Sequence, residues 1–155
     1  MITIKRVLVP TDFSEPSEVA LHYGKAFSET FGARLHLVHV LDENALVYPW
    51  ATPEGETFAM GTARADIENA VRNRLEHVLT DAERQKYSAE IVTLVGSPFL
   101  EIVTYAKSQE IDLIVMGTHG RGPIAHMLMG SVAEKVVRKA PCPVLTVRHP
   151  EHEFV

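Results

Sequence analysis

Short apolar runs alternate with amphipathic segments along the whole chain, and the runs predict five β-strands. The predicted strands are Arg6–Pro10, Arg34–Leu41, Glu90–Val95, Asp112–Gly117 and Pro143–Val147. All but the third are nearly continuous in apolar residues, which is typical of strands that are covered on both faces. Strands that alternate with helices predict parallel pairing, because right-handed crossovers bring each strand back into the same sheet.

Apolar residues at helical spacing predict four helices between these strands. The first follows an N-cap at Ser14 and ends at Gly32. The apolar face of the second is formed by Ile67, Val71, Leu75, Val78 and Ala82. The third opens at Ser97-Pro98, and the fourth is capped by Ser131. Residues 42–62 show no periodicity and predict a long loop, which in a compact domain is usually functional or mobile.

The fold class that we expect is α/β, with a single open five-stranded parallel sheet in the Rossmann-like order 3-2-1-4-5 and helices on both faces. Residues 1–148 are expected to form one domain, and residues 149–155 a polar C-terminal tail. In such sheets, ligands bind beyond the carboxyl ends of the strands, where the strand order reverses. This rule predicts a crevice between Pro10-Thr11-Asp12 and Met116-Gly117.

Composition and charge narrow the function. The 155 residues include 20 acidic and 15 basic side chains, and the net charge of −5 argues against a nucleic-acid binder, which usually carries a basic surplus. Cys142 is the single cysteine, so no internal disulfide can form and nothing indicates an oxidising compartment. No signal peptide is evident, and no apolar run approaches the ~18 residues that cross a bilayer. We therefore expect a cytoplasmic protein without a membrane partner.

The glycine-rich segment after the fourth strand has the chemistry of a phosphate site. Gly117 and Gly120 follow the strand, and Gly130-Ser131 opens the last helix. Glycine lets a ligand approach the backbone closely, and a helix N-terminus offers unpaired N–H groups at the positive end of its dipole. His119 and Arg121 add cationic or hydrogen-bonding groups to the same segment.

Other interpretations of this segment stay open. Ser131 and Glu134 have the spacing of a capping box, so Ser131 could be purely structural. A P-loop is absent, because the only Gly-Lys pair, Gly24-Lys25, lies within the first predicted helix. The segment 120–125 matches the dinucleotide pattern Gly-x-Gly-x-x-Ala only formally, since it follows the fourth strand rather than the first.

Several segments resemble the universal stress protein family, and the resemblance spans almost the whole chain. The main segments are Val7–Ser14, Val38–Val40, Asp112–Gly120 and Ala140–Leu145. ATP-binding members of that family carry Gly, two residues, Gly, nine residues, Gly and then Ser or Thr. That spacing is matched without a gap by Gly117, Gly120, Gly130 and Ser131. The resemblance therefore implies the ATP-binding subgroup.

The resemblance also implies a cofactor, ATP, and the residues that hold it. We expect Mg²⁺ with the ATP, because the carboxylate of Asp12 could help hold such an ion together with the phosphates. Asp12 would contact the ribose or adenosine region, and Val40 and Met116 would line the adenine pocket. The full set of implied nucleotide-binding residues is Pro10, Thr11, Asp12, Val40, Met116, Gly117, His119, Gly120, Arg121, Gly130, Ser131 and Val132. His119 departs from the small polar residue that the family often has there.

Some of these residues also have simpler interpretations. Asp12 could be only a turn former before Ser14. His36 and His39 lie three apart on a strand and so face opposite sides, and no histidine has the spacing of a zinc site, so no metal ligand is assigned. The resemblance implies a homodimer through the edge strand Pro143–Val147, the alternative being that the C-terminal tail covers this edge.

The expected function is regulatory binding of ATP in a stress response, through ATP-dependent conformation or partner choice. No catalytic residue is assigned, because no general base or P-loop lysine stands out. Two alternatives stay open. One is a slow ATPase or phosphoryl-transfer enzyme, for which Asp12 and His119 are the candidate residues. The other is a dimeric interaction module that ignores nucleotide.

Overall fold

A computed structural model of the chain describes residues 1–44, 60–118 and 129–148. Its strands are β1 (Arg6–Pro10), β2 (Arg34–Asp42), β3 (Glu90–Gly96), β4 (Leu113–Gly117) and β5 (Val144–Val147). Its helices are α1 (Glu15–Phe31), α2 (Met60–Glu76), α3 (Asp81–Lys86), α4 (Pro98–Ser108) and α5 (Ser131–Lys139). The five predicted strands are confirmed with ends that differ by one residue at most. The predicted tail 149–155 and most of the predicted loop 42–62 lie outside the described residues.

The strands form one parallel sheet in the order β3-β2-β1-β4-β5, as predicted. β1 lies at the centre, where Pro10 pairs with Val38 of β2 and Leu8 pairs with Ile114 of β4. The chain therefore moves outward from β1 to β3 on one side and returns on the other side through β4. The strand order reverses between β1 and β4, which is where open α/β sheets bind ligands.

Alternating side chains of the strands enter two apolar layers, one on each face of the sheet. The layer under α1 and α2 includes Val7, Val9, Leu21, Leu35, Leu37, Leu75 and Val115. The layer under α4 and α5 includes Leu8, Val38, Ile102, Ala106, Ile114, Met116 and Val136. Each fully buried Val or Leu side chain stabilises the fold by roughly 1.5–3 kcal/mol, so both sheet faces require apolar residues.

Helix α1 begins and ends as predicted, at an extended Ser14 and at a left-handed Gly32 with φ of 64°. It also lies unusually close to the sheet. A Cβ atom at Gly24 would come within 2.3 Å of Cγ2 of Val9, so only glycine fits at this crossing. Across the described ranges, no helix has the length and apolarity needed to span a bilayer.

The prediction of one continuous second helix through Ala82 is wrong. Helix α2 ends at Glu76, and α3 begins after Thr80 with a capping box. The amide of Glu83 donates to Oγ1 of Thr80 at 3.2 Å, and the amide of Thr80 donates to Oε2 of Glu83 at 2.9 Å. These bonds satisfy amides at a helix start, so the chain can turn here while Leu75 and Leu79 both stay buried.

Candidate functional site

The β1–α1 connection forms one wall of the crevice, and its hydrogen bonds hold Thr11 in place. The amide of Thr11 donates to the carbonyl of Val38 at 2.8 Å. Its hydroxyl shares a 3.1 Å bond with Ser17, and its carbonyl accepts a 2.8 Å bond from Nδ1 of His39. Because its amide, hydroxyl and carbonyl all have protein partners, Thr11 serves as a rigid wall.

Asp12 has the turn-forming role that the sequence left open. Its Oδ1 accepts a hydrogen bond from the amide of Ser14 at 3.0 Å and another from the Ser14 hydroxyl. This explains why Ser14, although it is the N-cap of α1, makes no side-chain bond to the helix. Oδ2 of Asp12 accepts no hydrogen bond from any residue in the described part of the chain. The carboxylate therefore has one oxygen committed to the turn and one left for a ligand.

Gly117 has a packing requirement that the sequence did not show. A Cβ atom at this position would lie 2.8 Å from Cβ of Pro16 and 2.9 Å from its backbone carbonyl. The end of β4 therefore packs directly on the first turn of α1. Glycine is needed here for the fold itself, whether or not a ligand also approaches this backbone.

Three of the predicted site residues share one apolar layer. Met116 is buried in the layer under α4 and α5, and Val40 and Val132 pack against it. These residues come from β4, β2 and α5, which are distant along the chain. The side chains of Val40, Met116 and Val132 thus form an apolar surface beneath the carboxyl ends of the strands, which we call the apolar floor.

The start of α5 lies against the end of β4. The amide of Gly130 donates to the carbonyl of Thr118 at 2.5 Å. This bond joins the residue before α5 to the residue after β4. The prediction that Ser131 caps this helix is wrong, because Gly130 is the N-cap and Ser131 is the first helical residue. The capping box with Glu134 does not form, since Glu134 instead pairs with Arg138 at 2.9 Å.

The first amides of α5 are candidate hydrogen-bond donors for a ligand. The amides of Ser131 and Val132 have no acceptor among residues 1–44, 60–118 and 129–148, and the Ser131 side chain is exposed. These N–H groups carry the positive end of the helix dipole, which favours an anion. The predicted residues His119, Gly120 and Arg121 lie outside the described residues.

Comparison with known proteins gives the family. A model of the universal stress protein family matches residues 3–148. The chain belongs to this family. The universal stress protein MJ0577 of Methanocaldococcus jannaschii is 30% identical, over 95% of this chain and 96% of its own length. A solved structure of MJ0577 matches at a TM-score of 0.80 and 31% identity, covering 97% of this chain and all of that chain.

Two further family structures have nucleotides bound. One is a universal stress protein in complex with cAMP, with a TM-score of 0.63 and 24% identity over 95% of this chain and 98% of that one. The other is the Archaeoglobus fulgidus protein in complex with dAMP, with a TM-score of 0.61 and 24% identity over 94% and 98%. At this identity the likeness establishes the shared fold.

A stack of side chains beside the β1–α1 connection was missed by sequence reasoning. The rings of Phe13 and His39 stack with centroids 4.6 Å apart, and the guanidinium of Arg74 lies 4.3 Å from the Phe13 centroid. Phe13 has a left-handed backbone with φ of 63°, which is rare for a bulky residue. No sequence pattern signals this conformation, because Phe has no intrinsic preference for it.

His36 faces away from His39, as their spacing on β2 predicts. Its Nδ1 lies 2.9 Å from the Tyr105 hydroxyl, and its Nε2 is buried with no partner in the described part of the chain. Burial lowers the pKa of His36 and raises the pKa of Tyr105 to about 12. The described residues contain no group of three metal-ligating side chains.

Proposed function

We propose that this chain is an ATP-binding regulatory member of the universal stress protein family, acting in the cytoplasm through ATP-dependent conformation or partner binding. The observation that carries the proposal is the start of α5, which lies against the end of β4 near the point of strand-order reversal. Its first amides have no acceptor among the residues that the structure describes. In this proposal residues 1–148 form the nucleotide-binding domain. The bound cAMP and dAMP of two related structures support an adenine nucleotide as the ligand.

In the proposed complex, the two ends of the nucleotide use different chemistry. The adenine lies on the apolar floor formed by Val40 and Met116, and the ribose lies near Asp12. The phosphates lie at the start of α5, where Gly130 lets them approach and the amides and hydroxyl of Ser131 donate to them. His119, Gly120 and Arg121 complete the phosphate contacts through the glycine pattern.

The residues present fit a magnesium ion that is carried by the phosphates. Mg²⁺ is usually bound by one or two carboxylates together with substrate phosphates. Oδ2 of Asp12 supplies one carboxylate oxygen, while Oδ1 stays bonded to Ser14 and fixes its position. The ion would neutralise phosphate charge at the crevice.

We also propose a homodimer through β5. This strand pairs with β4 on one side and is an edge of the sheet. Val144, Leu145 and Thr146 stay partly accessible, so a second copy can pair with an edge that is already extended and apolar. Sedimentation equilibrium of the full chain should give twice the monomer mass, and Leu145→Lys should return the monomer.

Calorimetry tests the nucleotide proposal. MgATP titrated into nucleotide-free protein should release or absorb heat with a Kd of roughly 1–100 μM. The matched variant Asp12→Asn keeps the Oδ1 acceptor for Ser14 but removes the charge. It should therefore fold normally and lose most of the magnesium dependence of binding. No heat with adenine nucleotides at about 1 mM would overturn the proposed function.

A further inference from the structure

A second groove lies between α1 and α2, on the opposite face of the sheet from α5. It has a volume of about 570 Å³, which is within the range of small-molecule sites. Its lining includes Thr11, Phe13, Glu18, Leu21, Lys25, Arg74 and Val78. Only Thr11 also belongs to the proposed nucleotide site, so the groove is a separate place for a ligand.

The groove has an apolar part and a cationic part. Leu21, Val78 and the ring of Phe13 supply apolar surface, and these residues pack on or belong to the core layer under α1 and α2. Arg74 supplies the positive charge, while the charge of Lys25 is paired with Glu83 and Glu18 adds a carboxylate to the lining. This combination suits a ligand with a short apolar body and an acidic group.

Arg74 is the cation best placed to bind that acidic group. Its side chain is exposed and rests on the Phe13 ring, with 4.3 Å between guanidinium carbon and ring centroid. No carboxylate pairs with this guanidinium anywhere in the described ranges, whereas Lys25 is already bonded to Glu83 at 2.6 Å. The ring fixes the guanidinium in position and leaves its N–H donors for a planar or tetrahedral oxyanion.

The geometry points to a binding site for a small organic anion in this groove. A carboxylate or phosphate binds Arg74, and the apolar body lies against Leu21 and Val78. The ring of Phe13 contacts both His39 and Arg74 beside the site, and its backbone is left-handed. The proposal does not depend on nucleotide binding at α5.

An NMR titration of the full-length ¹⁵N-labelled protein tests this site with phenyl phosphate, benzoate and inorganic phosphate as probes. Phenyl phosphate or benzoate should bind with a Kd of about 1 mM or tighter and shift amides in 18–25 and 73–78. The probe that binds more tightly shows whether the site prefers a phosphate or a carboxylate. Inorganic phosphate should bind more weakly, because it lacks the apolar body. Binding should also weaken as salt screens the charges.

Two arginines of α2 provide a matched pair. Arg74→Gln should weaken the binding of phenyl phosphate about fivefold, which is the upper range for an exposed ion pair. Arg72→Gln should change nothing, because Arg72 is also exposed but does not line the groove. Equal losses in both variants, no shifts at about 10 mM probe, or shifts confined to residues 130–132 would each overturn the proposal.

Discussion

Two helices of this protein begin near the same Ser/Thr-x-x-Glu spacing, but only one of them forms a capping box there. Thr80 and Glu83 stand at the start of α3, and Ser131 and Glu134 at the start of α5. At α3 the spacing forms a reciprocal capping box. At α5 the helix begins one residue earlier relative to the motif, so Gly130 is the N-cap and Glu134 pairs with Arg138.

The difference separates a helix start that is capped by its own side chains from one that is not. The box at α3 satisfies the amides of Thr80 and Glu83 and brings the Glu83 carboxylate to the helix start, where its charge disfavours an anion. It also stabilises a turn between two helices. In the described part of the chain, the start of α5 has no such side-chain acceptor, and the bond from Gly130 to Thr118 holds it at the crevice. An N-cap without a side chain is therefore consistent with a ligand that itself satisfies the amides.

The largest expected effect comes from closing the start of α5. Gly130→Asp puts a carboxylate where we propose phosphates, and repulsion should weaken MgATP by at least about a hundredfold in calorimetry. The same change should raise thermal stability slightly, by about 0.3 kcal/mol, because Asp is a better N-cap than Gly at this extended backbone. Loss of binding together with loss of folding would contradict this separation.

Ser131→Ala should have the next largest effect, on binding alone. The Ser131 hydroxyl has no capping role, so unfolding by denaturant should be nearly unchanged. MgATP should bind about tenfold more weakly, since a hydrogen bond to a charged group contributes roughly 1.5–3 kcal/mol. A clear loss of stability would mean that Ser131 is structural after all.

Thr80→Ala is the reciprocal test. It removes the acceptor of the capping box and should lower the free energy of unfolding by about 1 kcal/mol. Nucleotide affinity should not change, because α3 contributes nothing to the proposed site. If this variant bound MgATP less well than the native protein, the two helix starts would not be independent.

The smallest effect concerns pH. The hydrogen bond from Lys25, and then that from the Thr80 amide, lower the pKa of Glu83. A carboxylate whose pKa is lowered in the folded state stabilises the protein at pH values above the ordinary carboxyl pKa of 4.5. That contribution disappears as the pH falls through the pKa of the folded state. Glu83→Gln should therefore be less stable than the native protein at pH 7, with a difference that narrows below pH 4.5. A difference independent of pH would refute this role.

Much of the fold was predictable because it depends on local patterns. Apolar runs gave the five strands to within one residue, and Gly32 ended α1 as its sequence position suggests. The capping-box spacing was weighed only at Ser131 and Glu134, where no box forms, and the same spacing at Thr80 and Glu83, where a box does form, was missed. Which of two such spacings forms a box depends on where tertiary contacts start the helix, and here the contact between Gly130 and Thr118 decides it.

The candidate site was less predictable, because several of its residues act through contacts distant in sequence. Gly117 is explained by Pro16, a residue about a hundred positions away, and no local pattern reveals that contact. The stack of His39, Phe13 and Arg74 joins β2, the β1–α1 connection and α2. The pairing of Val40 with Met116 was expected from the family resemblance, and both lie in one apolar layer near the ends of their strands.

The most direct test of the central claim is a ¹⁵N NMR titration with MgATP that compares the two helix starts. The amides of Ser131 and Val132 should show large shifts at saturating nucleotide, because they become hydrogen-bond donors to phosphate. The amide resonances of Asp81 and Ala82, at the capped start of α3, should not shift. Saturable binding that leaves the α5 amides unshifted would contradict the account.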